Sequence, residues 1–144
     1  MSVQHLFEPC VLPLSKELQK ALLTQLEQHS TSIPTPVTLN FRDSTYSAEA
    51  GGFHPVEISL QRTQHGKWKI LYITDFAYVG NVYPELERNV DFDVASGQAY
   101  FSGMGWQDIN SYGVRDFYLL WEGNFLSYLD MEVYDDIKHR SQTP

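Results

Sequence analysis

His54 to Arg62 reads HPVEISLQR, and the fold turns on whether this stretch is helix or strand. Its most catalytic-looking feature is His54 with Glu57 three positions on, a spacing that serves acid/base or metal chemistry when a helical turn brings both side chains together. Pro55 argues against a helix interior. Val56, Ile58 and Leu60 alternate with Glu57, Ser59 and Gln61, the period of a strand with one buried and one wetter face. On a strand, residues three apart point to opposite sides, so His54 and Glu57 diverge and each needs distant partners to form a site.

Working outward from this strand, VTLNFRD (37–43) repeats the alternation through Val37, Leu39 and Phe41. KWKILYITDFAYVG (67–80) is the longest β candidate. Trp68, Ile70, Tyr72, Thr74, Phe76 and Tyr78 form one face, expected to be core. Lys67, Lys69, Leu71, Ile73, Asp75 and Ala77 form the other, which begins charged and turns apolar, as in a central strand passing beneath a second layer. ERNVDFDVASGQAYFS (87–102) reads as a hairpin with Val90, Phe92 and Val94 inward and Asp91 and Asp93 outward. The chain then loosens in GMGWQDINSYG (103–113).

Two segments have helical period. Leu14, Leu18, Leu22 and Leu26 recur every fourth residue, with Ser15 a reasonable N-cap and Pro34 beyond the end. From about Ser111 to Asp130, Val114, Phe117, Tyr118, Trp121, Phe125, Tyr128 and Leu129 recur at three and four, with Gly123 a point of weakness. EVYDDIKHR (132–140) closes the sheet. The expected architecture is one α+β domain over 1–144: a curved antiparallel sheet wrapped around the N-terminal helix, with a second C-terminal helix and a short final strand. Residues 1–13 form an N-terminal arm and 140–144 a frayed end.

Composition narrows the function classes. With 144 residues and 42% hydrophobic content, the chain buries a core without disulfide or structural metal. The lone Cys10 excludes a disulfide framework and suits a reducing, cytoplasmic setting. No apolar run approaches the length of a bilayer span, and the N-terminus lacks the pattern of a signal peptide. The net charge of −8 falls in the second half: residues 73–144 carry twelve acids against Arg88, Arg115, Lys138 and Arg140, whereas residues 1–72 balance. Nucleic acid and anionic membranes are therefore poor ligands, and the acidic half reads first as solvated surface that aids solubility and second as a docking face for a basic partner.

The segments TYSAEAGGFHPVEI, ITDFAYVG, VDFDVASG and LWEGNFLSY, in that order, resemble an uncharacterised bacterial family of domains of unknown function. The resemblance covers about residues 37–138. It implies an α+β roll of the cystatin or nuclear-transport-factor-2 kind and supplies no activity, cofactor or catalytic residue.

Candidate chemistry comes from the residues themselves. Asp75 lies on the most apolar strand, where a carboxylate is costly unless paired; it is a general base or ligand anchor, or else bonds a loop amide or Arg42, Arg62 or Arg88. Asp75, Asp91 and Asp93 would hold magnesium or calcium if they converged, although no Asp/Gly-rich calcium loop accompanies them. Gly103 and Gly105 do not make a nucleotide-binding turn, because Asp108 stands where a third glycine belongs. Gly51 and Gly52 precede Phe53 and His54 in a second glycine-bearing loop. If the two loops meet, Tyr46, Phe53, His54 and Trp106 line a pocket with Asp75. Cys10 has no activating neighbour, and no serine elbow is present. A cofactor-free binding module for another protein is the leading expectation. A small-molecule receptor or enzyme with a pocket between sheet and helix is the alternative, and an acidic mimic of nucleic acid a third. The oligomeric state is not legible.

Overall fold

The leucine stripe settles against a sheet as soon as both are built. In a computed structural model, which describes residues 6–29, 35–80 and 82–141, helix α1 spans Lys16–His29 and buries Leu18, Leu22 and Leu26. The Ser15 hydroxyl accepts the Leu18 amide at 3.0 Å, satisfying one of the unpaired donors of the first turn. Strands β1 (Val37–Arg42), β2 (Val56–Arg62), β3 (Trp68–Val79), β4 (Glu85–Asp93), β5 (Gln98–Phe101) and β6 (Gly105–Asp108) follow, then helix α2 (Val114–Asp130) and strand β7 (Asp136–Ser141). They form one antiparallel, curved, seven-stranded sheet in the order β6-β5-β4-β3-β2-β1-β7.

HPVEISLQR is the β2 strand and its lead-in. Val37, Leu39 and Phe41 of β1 pair with Leu60, Ile58 and Val56 of β2, and all six are buried on the side that faces the helices. This row shares one core with the leucine stripe of α1. Phe41 meets Phe125 of α2 edge-on at 5.2 Å, and Phe92 of β4 meets Tyr118 at 5.2 Å. Helix α2 runs unbroken through Gly123, because Val114, Tyr118, Trp121 and Phe125 are held by burial that outweighs the local cost of a glycine. Among the described residues no helix is long and apolar enough to cross a membrane.

Three expectations need correction. First, β3 does not keep one face throughout. Leu60 pairs with Ile70 but Ser59 pairs with Tyr72, so Leu71 is an extra residue and the strand switches sides there. Trp68 and Ile70 are core, as expected, but beyond the bulge it is Ile73 and Asp75 that turn toward the helices. Tyr72 instead faces the other side, where its hydroxyl donates to Glu57 at 2.5 Å. Secondly, the loosened stretch after β5 contains β6. Gly103 and Gly105 both adopt positive φ, 84° and 78°, allowing a tight turn that lays Gly105–Asp108 back along β5. Thirdly, Arg140 and Ser141 are part of β7, paired with Thr38 and Val37, rather than a frayed end; residues 142–144 lie outside the described residues.

Residues 6–13 of the N-terminal arm are docked. Phe7 bridges Trp68, the Glu8 amide donates to the Trp68 carbonyl, and Phe7 and Leu12 are buried. At the opposite end, Phe76–Val79 and Glu85–Arg88 pair only with each other, so β3 and β4 continue as a two-stranded arm beyond the ends of β2 and β5.

Candidate functional site

The site begins in the loop between β1 and β2. Asp43 organises it: one carboxylate oxygen accepts the Thr45 amide and hydroxyl, and the other accepts the Phe53 amide at 3.2 Å. The Thr45 hydroxyl holds the Asp43 carboxyl below its ordinary pKa. Gly52, at φ 131°, lets the loop close over this carboxylate. A Cβ there would stand 3.0 Å from both the Asp43 oxygen and the Tyr46 Cα, so another residue would have to push the loop apart as well as adopt a strained φ. The closed loop carries Tyr46, Phe53 and His54 to the end of β3. The Phe76 amide donates to the Pro55 carbonyl and the Tyr78 amide to the Tyr46 hydroxyl, fixing the loop against the strand.

Asp75 waits there because the bulge at Leu71 has turned it inward. Its Oδ1 accepts His54 Nδ1 at 2.8 Å and Asn89 Nδ2 at 3.4 Å, and its Oδ2 accepts Trp121 Nε1 at 3.1 Å. The Asp75 side chain is 14% exposed and that of His54 39%. Asn89 owes its place to a second irregularity, where β4 carries one residue more than β3 between Asp75 and Phe76. No arginine joins, contrary to one expectation: Arg88 bonds Asp91 instead, at 2.9 Å. The hydrogen bond to Asp75 raises the His54 pKa, with partial burial acting in the opposite sense. It also commits Nδ1–H to Asp75, so Nε2 is the ring atom left for chemistry.

Beside this pair lies a cavity of about 170 Å³. Its rings are Phe53 from the loop, Trp121, Phe125 and Tyr128 from α2, and Tyr134 from the segment before β7; His54, Asp75 and Asn124 are its polar groups. Trp121 and Phe125 stack at 5.1 Å, and Phe53 meets Tyr128 edge-on at 4.8 Å. Burial, and next the nearby Asp75 charge, push the Tyr134 hydroxyl pKa well up. Its phenol therefore stays neutral.

The structure thus brings together Asp75, His54, Tyr46 and Phe53, with the Tyr46 ring 5.5 Å from that of His54. It does not bring Trp106. That residue sits on β6, at the sheet edge, 5.3 Å from Tyr100 and under the Arg88 guanidinium at 5.1 Å. Both glycine loops lie at the same end of the sheet, but one joins β1 to β2 and the other β5 to β6, and strands β3 and β4 stand between them. Nor do the three carboxylates converge. Asp91 pairs with Thr74, next to Asp75 on a pleated strand, so it faces the opposite side of the sheet. Burial raises the Asp91 pKa against the pull of Arg88, and Asp93 accepts the Ser96 amide in its own turn. Among the described residues no group of three or more His, Cys, Asp or Glu is placed to hold a metal ion. Cys10 is half-buried with its thiol pKa raised by burial, the unreactive direction.

Trp121, Asn124, Tyr128, Tyr134 and Asn89 were not among the sequence candidates. Trp121 and Tyr128 carried a signal, their place on the α2 stripe, but it reads equally well as plain core.

A second feature lies at the other end of α2. Val90, Phe101, Met104, Tyr112, Val114 and Phe117 line an open groove of about 470 Å³ between the β4–β5–β6 corner and the start of the helix. Met104, Tyr112 and Phe117 are exposed, Tyr112 fully. Among the described residues every exposed large apolar side chain except Val11 falls in the acidic second half.

Comparison with curated proteins finds no match. Two solved structures from Vibrio cholerae are similar. One is the hypothetical protein VC0508 of the VSP-II pathogenicity island, 48% identical, TM-score 0.85, matching 94% of this chain and 99% of that one. The other is the conserved hypothetical protein VC1805 of pathogenicity island VPI-2, also 48% identical with TM-score 0.85, matching 94% of this chain and 100% of that one; it is described as sharing structural homology with the human P32 protein. A family model matches residues 13–140, and the chain therefore belongs to the family described as "Protein of unknown function (DUF2787)".

Proposed function

We propose that this protein is a non-enzymatic interaction module, and that its partner is a protein with a basic, partly apolar surface. The observation that carries this reading is the groove at the start of α2, where Met104, Tyr112 and Phe117 stand exposed around an apolar floor of Val90, Phe101 and Val114. Exposed aromatic and methionine side chains around a concavity are the composition that protein interfaces favour. The surrounding charge supports a basic partner: Asp108 on β6, Asp116 in the first turn of α2 and Glu85 and Glu87 on the β3–β4 arm are all exposed, against Arg115 and the partly engaged Arg88. The cavity beside His54 is below the roughly 300 Å³ from which drug-sized ligands are held, which weighs against a small-molecule enzyme. The lone, half-buried Cys10 fits a cytoplasmic setting.

The test compares cross-linked complexes captured by the wild-type chain with those captured by Met104→Asp with Tyr112→Ser, and by Val82→Asp, an exposed apolar position outside the groove lining. The groove substitutions should abolish a specific complex that Val82→Asp retains, and rising salt should weaken it. Capture indifferent to the groove substitutions would sink the reading.

A further inference from the structure

We propose that the cavity beside His54 and Asp75 binds a small alkylated ammonium group. This inference stands apart from the groove, which lies around the first turns of α2, whereas the cavity lies along Trp121 to Tyr128.

Three features of the cavity favour a cation. Five aromatic rings contribute to its wall, and the faces of such rings attract a cation within about 6 Å. No lysine or arginine lines it, while Asp75 does, and Asp43 lies close enough to act on the Tyr134 hydroxyl. Finally, two of the three donors to Asp75, Asn89 and Trp121, are neutral, so its charge is balanced only while His54 is protonated. A largely buried carboxylate without a permanent counter-charge is costly, and a bound cation supplies one.

Size and hydrogen bonding choose among cations. A cavity of about 150 Å³ takes a six-carbon ring, so 170 Å³ holds a head group of about six heavy atoms. A primary ammonium brings three donors, and each loses a water on entry. Asp75 Oδ1 already accepts two hydrogen bonds and Oδ2 one, leaving a single Asp75 lone pair beside Asn124 and the tyrosine hydroxyls to replace those waters. An ammonium whose hydrogens are replaced by methyl groups gives up fewer and gains contact with the rings. An anion on His54 and Asn124 is disfavoured by Asp75 itself, 2.8 Å from the imidazole.

Binding is coupled to one proton. Asp75 from β3 and the Tyr46 ring from the loop face His54, with Tyr128 of α2 and Tyr134 across the cavity and Asp43 behind the loop. A cation beside Asp75 opposes the imidazolium, so affinity rises with pH as His54 loses its proton.

The experiment titrates the full chain with tetramethylammonium chloride and, separately, with the neutral and similarly shaped tert-butanol, following the Trp121 indole N–H and the His54 ring by NMR. The expected result is a saturable shift with the cation at about millimolar concentration, and binding about tenfold weaker for the alcohol. Asp75→Asn should weaken the cation about tenfold with the helical circular dichroism unchanged. Should that variant not fold, Tyr128→Leu, at a half-exposed ring, replaces it and should weaken the cation severalfold. Equal binding of cation and alcohol, no saturation with the cation, or affinity unaltered in the folded variant would each overturn the proposal. Two further arms separate the sources of such a group: tighter binding of a trimethyl-lysine peptide than of tetramethylammonium points to a protein side chain, and equal binding to a free small amine.

Discussion

Two carboxylates sit at the inner face of α2, the largely buried Asp75 bonded to Trp121 and the fully buried Glu122 one position further along the helix, and their surroundings differ in kind. Glu122 is 4% exposed; its Oε2 accepts the Tyr118 hydroxyl at 2.5 Å and the Ser15 amide at 3.2 Å. The second of these places negative charge at the N-terminus of α1, where the helix dipole favours it. Burial, then the bond to Glu122, pushes the Tyr118 pKa far up, so the donor is permanent near neutral pH. This carboxylate fastens one helix to the other and lines neither the cavity beside His54 nor the groove at the start of α2. Asp75 shares the burial and the multiple donors, but one of its partners is a half-exposed histidine that titrates, and a cavity opens beside it. A buried charge is therefore not in itself the mark of a site. What distinguishes Asp75 is access and a partner that can change its charge.

The largest expected effect tests the structural member of the pair. Glu122→Ala leaves the Tyr118 hydroxyl and Ser15 amide without a partner between the helices and should cost about 3 kcal/mol in urea unfolding. A smaller loss than that of Asp75→Asn would break the contrast. Asp75→Asn keeps shape and some hydrogen bonding, so about 1–2 kcal/mol is expected. Its sharper signature is the His54 titration, which should fall back toward the ordinary value near 6.5 when followed by NMR.

The smallest effect is in the pH dependence. Because the folded His54 pKa is raised, its contribution to stability is fully present below the unfolded value and is lost as pH rises through the folded one. Thermal unfolding of the wild type should show this decline above about pH 6.5, and His54→Gln should flatten it. A slope unchanged in that variant would assign the dependence to other groups.

The same contrast shows what sequence reading reaches. The α1 stripe, the Ser15 cap, β1, β2 and α2 are legible because each repeats one period cleanly over several residues. β6 is not, since the turn that Gly103 and Gly105 make does not say that the four residues Gly105–Asp108 pair back along β5, and those residues carry no alternation of their own. Leu71, Tyr72 and Ile73 are three apolar residues in a row, so alternation cannot say where β3 changes sides. Of the site, His54, Phe53, Tyr46 and Asp75 were legible as unusual residues, whereas Trp106 was drawn in by an assumed meeting of loops.

The order of elements, the buried face of each amphipathic segment and the charge imbalance between the halves all follow from local pattern and composition, which require no knowledge of partners. The facing of Asp75 does not. One extra residue in β3 reverses which side every later side chain takes, and that residue exists only relative to the pairing with β2, set by chain packing across the whole sheet. The partners of Asp75 lie 14, 21 and 46 residues away, and only the closed sheet with α2 laid across it brings them within hydrogen-bonding distance.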